Sequence, residues 1–529
     1  MMQIGAHRVY LALLCAAALL GPAVRAQGGR LVVFVVVEQL RYVDLLWARD
    51  ELGPGGFGGL GQPLQARYRA ALTHTAPDHA TLATGTYPDV HGIVGNTLVD
   101  AGKPVEAIDD PACENWRGTR RQGPGKLLVP TVADALKLAT LGRARALALS
   151  FKDRGALFLA GRAADLALFW DYDNGELTSS RCYAEEPPAW LADLARKHPV
   201  SEWKDYVWTL SRPEKVYGRL AEMDSAFSEP YGMGGRFPHR VGGGELAKPF
   251  YTALRAAPPS TTIVLRAAEA GVGGMRLGDR GESDLLLVSL SGLDYVGHAY
   301  GTASRERLDM LLRMHDGLSE FVSRLRTKLG NRVAFVLSAD HGATPSAKTV
   351  AAARLSGVRV DLEKMQSAVS AALDKQFGHQ DKWVDLAEDG VIALHRVAGV
   401  DPDRAARVAT EAVARMPGNW RAVAASDMAG QDLVVRHSFH PQRSGDAMFL
   451  QAPLVTVADQ EIANHGSMWN EDALVPVLYS TPGFRLRPVL AGGILDPIQI
   501  APTLAMLLGI APPSAAFAEP FLVPESASR

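Results

Sequence analysis

Short runs of consecutive apolar residues recur along this chain, at Leu31–Val37, Ala146–Ser150, Leu285–Leu290, Val333–Leu337 and Val475–Tyr479. Continuous hydrophobicity over so few residues predicts strands buried on both faces, the pattern of a parallel sheet. Between the runs the period lengthens to that of a helix. Leu308, Leu311, Leu312, Leu318, Phe321, Val322, Leu325 and Leu329 keep one face, which Gly330 ends, and Gln499–Leu508 stops at Gly509. Strands alternating with helices predict an α/β fold, with helices flanking a central, mostly parallel sheet. Two stretches break the alternation: a tryptophan-containing, turn-rich one at about 160–280 and a more helical one at about 350–460. Both read as cap insertions within one main domain at 27–529.

Residues 1–26 stand apart from this pattern. Arg8 makes a short positive start, Val9–Leu20 an apolar stretch, and Val24-Arg25-Ala26 a small-residue cleavage site. That is a secretory signal; a membrane anchor at the start of the chain is the alternative, though the apolar run is short for a bilayer. No later stretch is long and apolar enough for a transmembrane helix, so a periplasmic or secreted protein without a stable membrane anchor is expected. The full chain of 529 residues carries a formal charge of −2. Cleavage would remove Arg8 and Arg25 and no acidic residue, which argues against a nucleic-acid-binding surface. Cys113 and Cys182 survive cleavage and pair only if the fold brings them together.

The chemistry collects where the predicted strands end. The first runs into Glu38. The strand at 285–290 runs into "SLSGLDYVGHAYG" with Asp294 and His298, and the strand at 333–337 into "SADHG" with Asp340 and His341. His465, in "NHGSMW", precedes the strand at 475–479. Open α/β sheets bind ligands outside the carboxyl ends of their strands, so three carboxylates and their histidines are expected on one rim. Carboxylate oxygen and imidazole nitrogen form the ligand set of hydrolytic zinc, and six such side chains suffice for two ions. Any one fragment alone is commonly a turn or a helix cap; their joint placement at strand ends is the signal. Thr75, in the hydroxyl-rich "THTAPDHATLATGTYPDVHG", stands ahead of Ala76-Pro77, where a helix N-terminus would favour a phosphoryl oxyanion. The glycine-rich "GPGGFGGLGQP" lacks a following Lys-Ser/Thr and reads as a turn, not a phosphate loop.

The ordered set "THTAPDHATLATGTYPDVHGIVGN", "SFKDRGALFLAG", "LDYVGHAYG", "SADHG", "RSGDAMF", "NHGS" and "DPIQIAPTLAMLLGI" resembles the alkaline phosphatase superfamily. Within it, the chain is similar to the threonine-nucleophile, phosphate-irrepressible bacterial branch, related to the nucleotide pyrophosphatase/phosphodiesterases. The likeness runs from about residue 30 to residue 520. It implies a phosphoric monoester hydrolase with two Zn²⁺ ions, acting on small phosphate esters through a phosphothreonine on Thr75. Glu38, Asp340, His341 and Thr75 would then hold one ion, and Asp294, His298 and His465 the other. Asn96, Lys152 and Arg154 would meet the non-bridging phosphoryl oxygens, and the two cations suit a dianionic monoester. Lys152 and Arg154 share strand-like parity, which would point both into one pocket. His79, His91 and Arg443 lie inside the same motifs and are expected to support the site from behind.

One position departs from the resembled pattern, which has Asp where this chain has Glu38. The extra methylene must be absorbed by a shifted strand end, another rotamer or a moved ion. Glu38 is still expected to ligate; a weaker nucleophile-side metal, or a different metal, is the alternative. A phosphodiesterase or nucleotide pyrophosphatase of the same fold, and a catalytically impaired phosphoester-binding relative, are the rival functions. Sulfatase chemistry is excluded, since Cys113 leads only into "CENWR". Oligomeric state is not legible.

Overall fold

A computed structural model describes residues 29–218, 230–242, 245–457, 462–489 and 493–525. The predicted signal at 1–26 lies outside the described residues. All five predicted strands form, and all join one sheet. In chain order its strands are β1 (Leu31–Val37), β2 (Leu64–Arg67), β3 (Ala146–Ser150), β4 (Leu166–Asp171), β5 (Glu176–Thr178), β6 (Asp284–Leu290), β7 (Val333–Ser338) and β8 (Leu474–Ser480). The spatial order is β2-β8-β7-β1-β6-β3-β4-β5. Every residue of β1 is buried, because β6 and β7 flank it and helices cover both faces. That double burial is why its sequence does not alternate.

Register sets the functional rim. Val37 pairs with Leu290, Val36 with Ser338, and Ser289 with Ser150, so four parallel strands end together. The expectation for the run at 475–479 needs correcting: β8 is antiparallel to β7, with Leu337 opposite Leu478. The sheet is therefore mixed, and the reversal has a consequence. Residues that precede an antiparallel strand reach the same rim as residues that follow its parallel neighbours. His465 would have been carried to the opposite edge by a parallel β8.

The long helix Arg305–Leu329 buries the predicted leucine and phenylalanine face and ends at Gly330 (φ 59°), while Ile500–Leu508 ends at Gly509 (φ 75°). Within the span 160–280, β4 extends the main sheet and the helix Pro259–Gly274 packs into its core. Within 350–460, helices Leu362–Phe377 and Pro402–Ala414 cover a separate four-stranded sheet and enclose Met365, Val369, Leu373, Ala409 and Val413 as its own core. Its first two strands meet at Asp389-Gly390, with φ values of 50° and 79°. This is the two-residue hairpin turn that an Asp-Gly pair favours. Cys113 and Cys182 form a disulfide, with Cα atoms 5.2 Å apart.

Candidate active site

Glu38 and Ser291 follow directly from neighbouring strand ends and Asp340 comes one residue later, so the topology alone gathers them. Asp294 and His298 lie one helical turn apart on Gly292–Tyr300, the helix that leaves β6, and so share a face. Thr75 is the first residue of the helix Thr75–Thr84, with His74 as its N-cap. Apart from His298, which is half-buried, these side chains are almost wholly buried, as are Lys152 and His465.

The three histidines are aligned in the same way. The Nδ1–H of His298 donates to the carbonyl of Ala463 (2.9 Å), that of His341 to Gly342 (3.0 Å), and that of His465 to Thr73 (2.8 Å). A carbonyl can only accept, so each Nε2 presents its lone pair to the site, as a metal-ligating imidazole does. His465 Nε2 is 3.8 Å and His298 Nε2 is 3.1 Å from Asp294 Oδ1. His341 Nε2 is 3.2 Å from Asp340 Oδ2, and neither of those atoms has a hydrogen-bond partner among the described residues. Buried polar atoms left unpaired in this way are costly unless a ligand satisfies them. Burial and the neighbouring His341 push His465 well below the usual imidazole range, which keeps its lone pair free. Asp294, His341 and His465 offer ligand atoms all within 4.8 Å of one another. The tightest triad thus takes His341 from one expected ligand set and the other two residues from the second. The expected division is drawn through a single continuous cluster. Its nitrogen and oxygen donors fit divalent cations.

Glu38 meets more than one partner. Its Oε1 accepts from Ser291 Oγ (2.6 Å), Ser289 Oγ (2.7 Å) and Ser150 Oγ (3.4 Å). Its Oε2 faces Lys152 Nζ at 2.8 Å without a directed hydrogen bond. A nest of serines therefore holds the longer side chain and leaves one oxygen toward the site. Lys152 Nζ also lies 2.5 Å from Asp294 Oδ2 and 3.4 Å from Thr75 Oγ1. Burial alone would lower the lysine's proton affinity; Asp294 and Glu38 outweigh it and hold the ammonium above its ordinary value. Burial would likewise raise Asp294, but His298 and Lys152 outweigh it and hold this carboxyl well below the usual range.

Arg154 lines the same cavity as Thr75, Asn96 and Lys152, a space of about 380 Å³, and its buried Nε has no hydrogen-bond partner among the described residues. The two cations do share a pocket, but not through strand parity. Lys152 is the N-cap of the helix Asp153–Ala160 and Arg154 lies in its first turn, so a helix start aims them. Asn96 Oδ1 accepts from Ala76 N (3.2 Å), and Asn96 N donates to Asp389 Oδ2 (2.8 Å). A cap hairpin thereby reaches over to hold Asn96. His79 Nδ1 donates to the carbonyl of Thr75 (2.8 Å), and its Nε2 contacts Ser289 Oγ at 2.9 Å. His91, which burial and Arg443 push down to about 3, bonds Thr81 Oγ1, and Arg443 donates to the carbonyls of Gly92 and Lys126. These last two support the loops behind the site. A larger cavity of about 460 Å³, between Trp116, Trp170 and Trp203, has no metal-ligand cluster among its described residues.

Sequence reasoning missed Gln39. Its backbone N–H donates to Asp340 Oδ1 (3.0 Å) and its side-chain Nε2 to Asp294 Oδ1 (2.9 Å), so one residue braces a carboxylate from each expected ligand set. It does so from the left-handed region (φ 66°), a strained setting for a residue other than glycine. Arg307 fixes the amide by donating to Gln39 Oε1 and to the Gln39 carbonyl, both at 2.6 Å, and is itself paired with Asp44 at 2.9 Å. Gly297 makes the room, since a Cβ there would lie 1.8 Å from Gln39 Oε1. No local pattern signals such a brace. Asp389 was more accessible, because Asp-Gly between apolar runs marks a hairpin.

Comparison with known proteins identifies the chain's relatives. Residues 68–467 match the type I phosphodiesterase / nucleotide pyrophosphatase family. The chain is 28% identical to alkaline phosphatase PhoV of Synechococcus elongatus, over 92% of this chain and 91% of that protein. It is also 28% identical to alkaline phosphatase PafA of Elizabethkingia meningoseptica, over 93% of each. The crystal structure of wild-type PafA superposes with a TM-score of 0.85 at 26% identity, covering 94% of this chain and 99% of that one.

Proposed function

This chain belongs to the type I phosphodiesterase / nucleotide pyrophosphatase family and is a phosphoric ester hydrolase, and from that premise we propose that it cleaves phosphate monoesters through a phosphothreonine on Thr75 at a two-zinc centre. The observation that carries this reading is the set of three imidazoles, each turned by a backbone carbonyl to present Nε2 to buried carboxylates beside Thr75. Glu38, Asp340, His341 and Thr75 would hold one ion, and Asp294, His298 and His465 the other. When bound, the ions would lower the threonine hydroxyl's pKa and neutralise charge on the entering and leaving oxygens.

The protein's own groups do the rest. The side chain of Asn96, held in place by the Ala76 amide, orients the phosphoryl group for in-line attack. Thr75 Oγ loses its proton and forms a bond to phosphorus as the bond to the leaving oxygen breaks; that oxygen departs, takes a proton, and leaves as an alcohol. Water then attacks the phosphothreonine, releasing phosphate and restoring the hydroxyl. Lys152 and Arg154 supply positive charge for the non-bridging oxygens, where a monoester dianion has more to gain than a diester. Export to an oxidising compartment is part of the proposal, supported by the Cys113–Cys182 disulfide and the character of residues 1–26. No helix among the described residues is long and apolar enough to cross a membrane.

The test uses purified protein, aryl phosphate monoester and diester, and bound-metal analysis. Chelation is expected to abolish turnover and zinc to restore it, with monoester cleaved faster than diester. Chelator-insensitive turnover would refute the metal mechanism, and diester preference would favour the phosphodiesterase reading. Gln39→Ala is expected to weaken zinc retention about 10–100-fold, the usual cost of losing a group that orients ligands. Competition with a chromogenic chelator reads this without relying on activity; wild-type affinity would mean Gln39 is only packing.

A further inference from the structure

One cation in the catalytic cavity has no role in the chemistry described so far. Arg255, in the short turn Leu254–Ala256, lines the same space as Thr75, Lys152 and Arg154. Its guanidinium carbon lies 4.5 Å from the ring centroid of Tyr231, 4.8 Å from that of Tyr295 and 5.7 Å from that of Tyr172. Among the described residues its buried Nε has no hydrogen-bond partner, and no carboxylate among them pairs with it. The rings themselves are braced: the hydroxyls of Tyr172 and Tyr295 are 3.0 Å apart, and that of Tyr172 reaches the carbonyl of Phe151 at 3.3 Å.

Aromatic faces hold a guanidinium in place but do not cancel its charge as a carboxylate would. A half-buried cation packed this way keeps its positive potential aimed into the cavity. A guanidinium stays protonated even when half-buried. Tyr295 connects this group to the chemistry. It follows Asp294 directly, and Lys152 Nζ lies 4.8 Å from the centroid of the same ring. Arg255 thus stands beside the phosphoryl-binding cations, displaced by about the width of one aromatic side chain.

We propose that Arg255, stacked on Tyr231 and Tyr295, forms a second anion-binding subsite that selects phosphate monoesters whose leaving group carries a further carboxylate or phosphate. The proposal rests on the monoesterase reading above and adds a substrate class to it. The fork of guanidinium donors suits the planar or tetrahedral oxygens of either group.

The experiment compares kcat/KM of the zinc-loaded enzyme on phenyl phosphate, 3-carboxyphenyl phosphate and 1,3-phenylene bisphosphate. Wild type is expected to favour the two anionic substrates over phenyl phosphate. Arg255→Met is expected to shrink that preference about tenfold or more, the worth of one charge-assisted contact. Arg255→Lys, which keeps charge but not the planar fork, is expected to retain part of it. The two anionic substrates separate the sources: loss on both assigns a general anion site, and loss on one alone assigns that group. Equal losses on all three substrates, or no wild-type preference, would overturn the subsite and leave the monoesterase reading standing. Failure to hydrolyse any monoester, with diester cleaved, would overturn both.

Discussion

Thr75→Ala is expected to reduce turnover on the order of 10⁴–10⁶-fold, the scale seen when a nucleophile is removed from an otherwise intact site. Thr75→Ser is expected to keep measurable activity, because the hydroxyl survives at the same helix start. The reason is positional. Thr75 opens its helix, its Oγ1 lies 3.4 Å from Lys152 Nζ, and its carbonyl is held by His79. The alanine variant should still bind zinc through the histidines and carboxylates, so a loss of turnover with metal retained separates nucleophile from ligand. Rapid acid quench and intact mass should detect a phosphorylated wild-type protein and no such species in Thr75→Ala. Turnover of the alanine variant within tenfold of wild type would dismiss the phosphothreonine.

The second large effect concerns Glu38. Glu38→Asp restores the residue type of the resembled family and is nonetheless expected to lower kcat/KM about 10–100-fold, the scale of a misplacement near 1 Å. In this protein the serine nest of Ser289, Ser291 and Ser150 is fitted to the longer side chain. A shorter carboxylate would abandon those hydroxyls or pull away from Lys152. Glu38→Gln keeps the shape and removes the charge, leaving the buried ammonium with Asp294 alone. Because the ammonium keeps Asp294, the loss should stay below the about 3–5 kcal/mol of a buried charge left wholly unpaired, and the thermal unfolding midpoint should fall only modestly. The rival account, in which glutamate marks an impaired site, makes the opposite forecast for Glu38→Asp: a gain in turnover. Steady-state kinetics on the two proteins decides between them.

Much of this was legible without coordinates, and the legible part has a common cause. Burial on both faces forces unbroken apolar runs, so the sheet announced itself. Open α/β sheets gather ligands outside the carboxyl ends of their strands, and Glu38, Asp294 and Asp340 lie within a few residues of those runs. Gly330 and Gly509 marked helix ends because their positive φ values cost other residues energy. The extent of the family match likewise follows motifs that lie in the chain as contiguous words.

What stayed hidden depends on contacts between residues distant in sequence. The direction of β8 is invisible in "LVPVLYS", since burial reads alike either way, yet that direction brings His465 to the rim. Gln39 gives no signal because its task is to bridge Asp294 and Asp340, residues far along the chain. Arg255 looks like any surface arginine until three tyrosines from separate segments close around it. Glu38 sits between these cases. Its position as a charge ending a buried strand was determined by the sequence alone. Its partners, three serines and Lys152 from two neighbouring strand ends, were decided only by the fold, because hydrogen bonds and ion pairs answer to distance in space and not along the chain.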